Sequence, residues 1–106
     1  MSTRAKIGIL LEGGAVKSIT LWHDGYPNYA GQMLAKHYKT AELIHDLMAE
    51  GDLNELEAIS ESCNYSGYSR PIVYGSLTSF LNDHSGMDYI YIFSEQTGWQ
   101  YINLNA

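Results

Sequence analysis

Residues 22–27 hold the densest group of side chains that could do chemistry, because a histidine and an aspartate are adjacent there. A His–Asp pair can act as a general base with an orienting carboxylate when the two side chains meet. His23 and Asp24, however, close a predicted strand, where consecutive side chains point to opposite sides. We therefore interpret this motif as structural, with a turn at Asp-Gly. Its members are Trp22, His23, Asp24, Gly25, Tyr26 and Pro27.

The other reactive residue types form no catalytic or metal-binding pattern. The histidines at 23, 37, 45 and 84 lack the spacings that tetrahedral metal sites use. Cys63 is the single cysteine and has no basic neighbour in sequence that would favour a thiolate. The sequence therefore predicts a protein that is not an enzyme, with no catalytic residue, no metal and no cofactor.

Carboxylates are concentrated in residues 42–61, which contain seven acidic residues and no lysine or arginine. Acids spaced by four line up on one side of a helix, and the simpler interpretation is a solvated surface. The alternative is a surface that imitates nucleic-acid phosphates and occupies a cationic groove on another protein. The partner-binding residues of that hypothesis are Glu42, Asp46, Glu50, Asp52, Glu57 and Glu61.

Residues 60–75 predict a loop rich in serine, glycine and tyrosine. This composition is typical of recognition loops, in which rigid tyrosines stand between small adaptable residues. An ordinary surface loop with some tyrosines folded inward fits equally well. On the recognition interpretation, Tyr65, Tyr68 and Arg70 add contacts to the acidic partner-binding surface.

The end of the chain predicts a β-hairpin with one aliphatic and one aromatic face, because the two side-chain types alternate. The aliphatic face suits a cover of helices. The aromatic face suits cross-strand packing or a homodimer contact, or else a platform that binds a small ligand such as a nucleotide signal. The platform residues are Tyr89, Tyr91, Phe93, Trp99 and Tyr101.

The remaining elements follow from periodicity and capping residues. Residues 5–23 predict a hairpin that turns at Gly13-Gly14. Apolar residues with helical spacing predict a first helix over 30–38, and a second helix follows Thr40 as its N-cap and ends at Gly51.

A short third helix is predicted from Asp52 and a fourth over 76–84. The predicted fold is one α+β domain over 1–106 with the order ββ-ααα-α-ββ. Both hairpins form one antiparallel sheet, and the helices pack on one face of it.

Net charge, its distribution along the chain and the cysteine content limit the functions and the compartment that we expect for this protein. The chain of 106 residues has a net charge of −6, which argues against direct nucleic-acid binding. Residues 1–40 carry five basic and two acidic residues, whereas residues 41–106 carry one basic and ten acidic residues. The N-terminal apolar run, residues 7–11, is too short for a signal peptide or a membrane span. One cysteine and no such segment predict a reducing cytoplasm and no membrane partner.

The N-terminal half resembles a poorly characterised family of small proteins found in bacteriophages, prophages and bacterial genomes. The resemblance is carried by Lys6-Ile7-Gly8-Ile9, Val16-Lys17-Ser18-Ile19, Trp22-His23-Asp24-Gly25-Tyr26-Pro27, His37-Tyr38 and Gly51-Asp52-Leu53. The family motif has the order His-Trp where this chain has Trp22-His23. The resemblance implies a phage setting, in which small acidic accessory proteins often inhibit host proteins, as anti-CRISPR proteins do.

Together these observations favour a phage-type counter-defence protein in the cytoplasm of a bacterial host. It would bind and inhibit a nucleic-acid-binding defence protein, such as a Cas nuclease, through the acidic helices and the tyrosine-rich loop. The second hypothesis is a sponge for a nucleotide signal, which would use the aromatic hairpin face, with Arg70 adding a cation–π contact.

Overall fold

Alternating apolar residues form two long hairpins, and in the described part of the chain these hairpins join side by side in one mixed sheet of seven strands. The structure is a computed structural model that describes residues 2–67 and 69–105. The strands are β1 (Ala5–Leu10), β2 (Val16–Leu21), β3 (Leu53–Glu55), β4 (Asn64–Tyr65), β5 (Ile72–Tyr74), β6 (Tyr89–Ser94) and β7 (Gly98–Asn103). The α-helices are α1 (Gln32–His37), α2 (Ala41–Met48) and α3 (Leu77–Asn82).

The strand order is β4-β3-β2-β1-β6-β7, and β5 pairs with β2 as well. The two hairpins meet through β1 and β6, which run parallel with Ala5 opposite Tyr89. The expectation of an all-antiparallel sheet is therefore wrong. The helices and short strands between the hairpins carry the chain back across the sheet, so β6 enters in the same direction as β1.

The sheet is covered on both faces, which corrects the expectation that all helices lie on one face. The main core joins α1 and α2 to one face, where Ile7, Ile19 and Tyr91 are buried. A smaller cluster on the other face places Phe80 of α3 against Val16 and Ile90. Lys6 and Gly8 alternate with the core residues of β1 and so lie beneath α3, where a Cβ on Gly8 would stand 2.7 Å from the Phe80 ring.

The predicted third helix is wrong, and the segment is strand β3. Leu53 pairs with Leu21 on one side and with Tyr65 on the other. Long-range pairing at the sheet margin thus overrides the local helix signal at Asp52. The segment predicted as a loop, residues 60–75, contains a 3-10 turn (Ser60–Ser62) and the short strands β4 and β5.

The predicted starts of the second and fourth helices are confirmed, whereas α2 ends at Met48, before the predicted end at Gly51. Thr40 caps α2 by accepting a hydrogen bond from the Leu43 N–H (3.2 Å), and Ser76 caps α3 in the same way. Helix α1 follows one π-helical turn, Pro27–Gly31. The first hairpin is connected by residues 11–15, a longer connection than the expected two-residue turn.

Candidate protein-binding site

Helix α2 is amphipathic, and its outer side carries the predicted line of acids. Ile44, Leu47 and Met48 are buried against the sheet, because they recur at helical spacing. The side chains of Glu42, Asp46 and Glu50 are all exposed. With a rise of about 1.5 Å per residue, Glu42 and Asp46 are about 6 Å apart along the axis of α2, and Glu50 lies just beyond the end of the helix.

Tyr65 of β4 marks the place where further acids meet this helix. Its hydroxyl donates a hydrogen bond to the Leu47 carbonyl (2.8 Å) and so ties β4 to α2. Burial first, and then the electrostatic effects of Cys63, Glu50, Glu61 and Asp46 in that order, raise the pKa of Tyr65 to about 12. Three carboxylates from two elements therefore act on one phenol. We call Glu42, Asp46, Glu50 and Glu61 the acidic surface.

An open groove borders the acidic surface at the C-terminal end of α2. It has a volume of about 440 Å³, and Glu50, Tyr65 and Arg70 contribute to its lining. The Asp52 N–H donates to the Ser69 hydroxyl (2.9 Å), which fixes this loop against the end of the helix. The structure thus brings together Glu50, Tyr65 and Arg70, whereas Tyr68 lies outside the described residues.

Two of the predicted partner-binding acids differ from the rest. Asp52 is half-buried, and its carboxylate accepts a hydrogen bond from the Thr20 N–H (2.7 Å). Glu57 is also half-buried, and its carbonyl accepts from the Tyr38 hydroxyl (2.6 Å). The structure therefore gives Asp52 a bond that holds β2 to the end of α2, in place of a free carboxylate.

Replacing Asp52 with alanine tests that structural role. The change leaves the Thr20 N–H without its acceptor, and we expect the free energy of unfolding to fall by about 1 to 2 kcal/mol. Urea unfolding followed by circular dichroism measures it. An unchanged stability would contradict the role that the hydrogen bond gives Asp52.

The aromatic platform is not an open surface, because α1 covers that face of the sheet. Tyr91 and Phe93 are buried, and the Tyr91 hydroxyl donates to the Gly25 carbonyl (2.7 Å). The Trp99 indole donates to the Tyr38 carbonyl at the end of α1 (2.8 Å). Of the five, Tyr101 is the one that is exposed, and Tyr89 is partly so. The aliphatic face of this hairpin was expected to carry the main helical cover. That expectation is wrong, because α1 covers the aromatic face.

The motif at residues 22–27 makes local contacts at the end of β2. Trp22 lies under the Arg4 guanidinium, 5.4 Å from the ring centroid to the carbon of that group. Asp24 has a positive φ of 57° and Gly25 is buried, so the turn passes close to β1. The exposed His23 imidazole bonds the Ser2 hydroxyl (2.7 Å) rather than Asp24.

Lys6 is a feature that the sequence analysis missed. Its ammonium group is buried and donates to the carbonyls of Phe80 (2.8 Å) and Asp83, and it lies 4.4 Å from the centroids of the Tyr74 and Phe80 rings. Burial lowers the pKa of Lys6, and Asp83 opposes that shift. One feature of the sequence pointed to this arrangement: Lys6 stands between apolar positions of a predicted strand, and its side chain lies on the face opposite to Ile7.

No protein-family model, curated protein or solved structure matches this chain. The resemblance to the phage family therefore stays a prediction. Within residues 2–67 and 69–105, no group of three or more His, Cys, Asp or Glu side chains could hold a metal ion. None of the helices described is both long and apolar enough to cross a membrane.

Proposed function

We propose that this protein is a non-enzymatic inhibitor that places its acidic surface in the nucleic-acid-binding groove of another protein. The observation that carries the proposal is the arrangement around Tyr65. There, α2 with Asp46 contacts the 3-10 turn with Glu61, and Glu50, just after the helix, lines a groove with Tyr65. All three side chains are exposed, so their charge is available to a partner.

The spacing of the acids supports imitation of a nucleic-acid backbone. The carboxylates of Glu42 and Asp46, about 6 Å apart along α2, can occupy neighbouring phosphate positions in a cationic groove, and Glu50 extends this line beyond the helix. Such a surface attracts a basic partner over a distance and accelerates their association. The Arg70 side chain at the rim of the groove adds a donor that can pair with an acidic residue of the partner.

The resemblance of the N-terminal half suggests the setting. A phage-encoded protein of this kind would act in the cytoplasm of a bacterial host. Its partner would be a defence protein that binds nucleic acid, of which a Cas nuclease is one example. The negative net charge of the chain disfavours direct binding to DNA or RNA.

Reversing the charge of α2 tests the proposal. We expect the triple variant Glu42→Lys, Asp46→Lys and Glu50→Lys to lose binding to a guide-loaded Cas nuclease by at least about a hundredfold. Each of the three reversed charges replaces an attraction with a repulsion, and this lowers the binding free energy by about 1 kcal/mol or more for each contact. Biolayer interferometry at two salt concentrations measures the loss, and cleavage of a target DNA measures inhibition.

A matched pair of variants separates the site from net charge. Asp46→Lys with Glu50→Lys changes the net charge as much as Glu12→Lys with Glu95→Lys, and all four side chains are exposed. Only the first pair should weaken binding. Equal effects of the two pairs, or full inhibition by the triple variant, would contradict the proposed site.

A further inference from the structure

Strand β7 is the longest free edge of the sheet in the described part of the chain. The competing edge strands β4 and β5 have two and three residues, whereas β7 has six. A free edge offers N–H and C=O groups to any other strand, and proteins usually protect long edges with charged residues, proline or a bulge. Residues 98–103 contain no charged residue and no proline, and they keep a regular register with β6.

The hydrogen bonds show which backbone groups of β7 are free. The Leu104 N–H donates to the Asp88 carbonyl (2.9 Å), one step beyond the registered pair of Tyr89 and Asn103. In an antiparallel ladder every second residue faces the same way, so Leu104 and alternate residues before it bond to β6. The residues whose N–H and C=O groups point away from the sheet are Trp99, Tyr101 and Asn103.

The side chains of this edge are also uncovered on both faces of the sheet. Tyr101 is 55% exposed on the face of α1, and Ile102 is 42% exposed on the face of α3. A strand added beside β7 would cover both of them. Burial of apolar side chains on the two faces at once would then add to the backbone hydrogen bonds.

We propose that β7 pairs antiparallel with β7 of a second copy of this chain, with Tyr101 at the two-fold axis. This register sets Tyr101 opposite Tyr101 of the second copy and Trp99 opposite Asn103. Every residue in these pairs points its backbone outwards, so about six hydrogen bonds form. The two sheets become one continuous sheet across the dimer.

A second copy fits this edge because each copy brings the same free backbone groups on an uncharged strand. Glu50 shares a groove with Tyr65 of β4, and the 3-10 turn that carries Glu61 contacts α2, so this part of the acidic surface lies at the opposite end of the strand order from β7. Two copies therefore meet through uncharged strands and keep Glu50 and Glu61 apart. A single pair of six-residue strands is a small contact beside standard interfaces of roughly 1,200 to 2,000 Å², so we expect a dissociation constant on the order of micromolar.

The central pair allows a charge-swap experiment, because residue 101 faces itself. Sedimentation of the full chain over a wide concentration range should show a monomer–dimer equilibrium. Tyr101→Lys and Tyr101→Glu should each raise the dimer dissociation constant by about tenfold or more, since like charges then lie opposite each other. An equimolar mixture of the two variants should dimerise again.

Val73→Lys is the matched control, because Val73 is 61% exposed on the shorter edge strand β5. It should leave the dimer intact, and thermal melts should show that all variants are folded. A wild-type monomer at every concentration would overturn the proposal. So would a dimer that survives both single variants, or variants that fail to associate when mixed. The experiment uses no partner protein, so its result is independent of the proposed function.

Discussion

Gly51→Ala is expected to lower the free energy of unfolding by about 3 to 5 kcal/mol, among the largest effects of a single methyl group. Gly51 lies shortly after the end of α2 and has a φ of +86°, which alanine adopts only with strain. A Cβ at this position would also stand 2.3 Å from the Ser69 carbonyl oxygen. The backbone of the loop must therefore move, and we expect the groove beside the acidic surface to change shape. Chemical unfolding measures the stability.

Gly13→Ala is the matched control for that variant. Gly13 has a similar φ of +91°, but nothing lies within 4 Å of the added Cβ. Gly13→Ala should lower the free energy of unfolding only by the backbone strain, about 1 to 2 kcal/mol. Equal losses for the two glycines would mean that the contact with Ser69 is unimportant. A Gly51 variant of normal stability would contradict the placement of this loop.

We expect the protein to unfold at alkaline pH, and we expect its buried tyrosines to lose their protons in the same transition. The hydroxyls of Tyr38 and Tyr91 are buried and donate to the carbonyls of Glu57 and Gly25. Burial is the main reason that the pKa of each lies well above 10. In the unfolded chain both would lose their protons near pH 10.

The direction in which stability changes with pH follows from this difference between the pKa values of the folded and the unfolded chain. Tyrosines with a raised pKa in the folded state contribute full stability below pH 10, and this contribution falls as the pH rises. Each of the two buried phenols removes about 1.4 kcal/mol per pH unit above 10, so together they remove about 3 kcal/mol by pH 11. Lys6 acts in the opposite direction, because its pKa is lowered: its contribution to stability increases as the pH rises towards 10.5. Because Lys6 adds stability while the two tyrosines remove it, the free energy of unfolding still falls as the pH rises above 10.

Circular dichroism and tyrosinate absorbance, recorded along one pH titration, check this prediction. The two signals should change together, and they should change less steeply with pH in Tyr91→Phe, which has one titrating phenol fewer. Ionisation of every tyrosine near pH 10 with the secondary structure intact would show that Tyr38 and Tyr91 are not buried as described.

The sequence was sufficient for features whose cause is local. The alternation in residues 7–11 and 89–94 predicted two hairpins, because side chains on a strand alternate between two faces. Thr40 predicted the start of α2, because its hydroxyl accepts from an N–H group of the first turn. The spacing of Glu42, Asp46 and Glu50 predicted their common exposed side, since four residues make about one turn.

Only the tertiary structure decided features that depend on distant residues. Strand β3 replaced a predicted helix, because Leu53 gains more from pairing with Leu21 than from a short local helix. The hairpins joined in parallel through β1 and β6, a choice that alternation within each hairpin cannot specify. The same packing turned the face of Tyr91 and Phe93 towards α1 and closed the expected platform. It also brought Glu61 to the acids of α2 and left Tyr101 on an open edge, because both positions are set by neighbours far away in the chain.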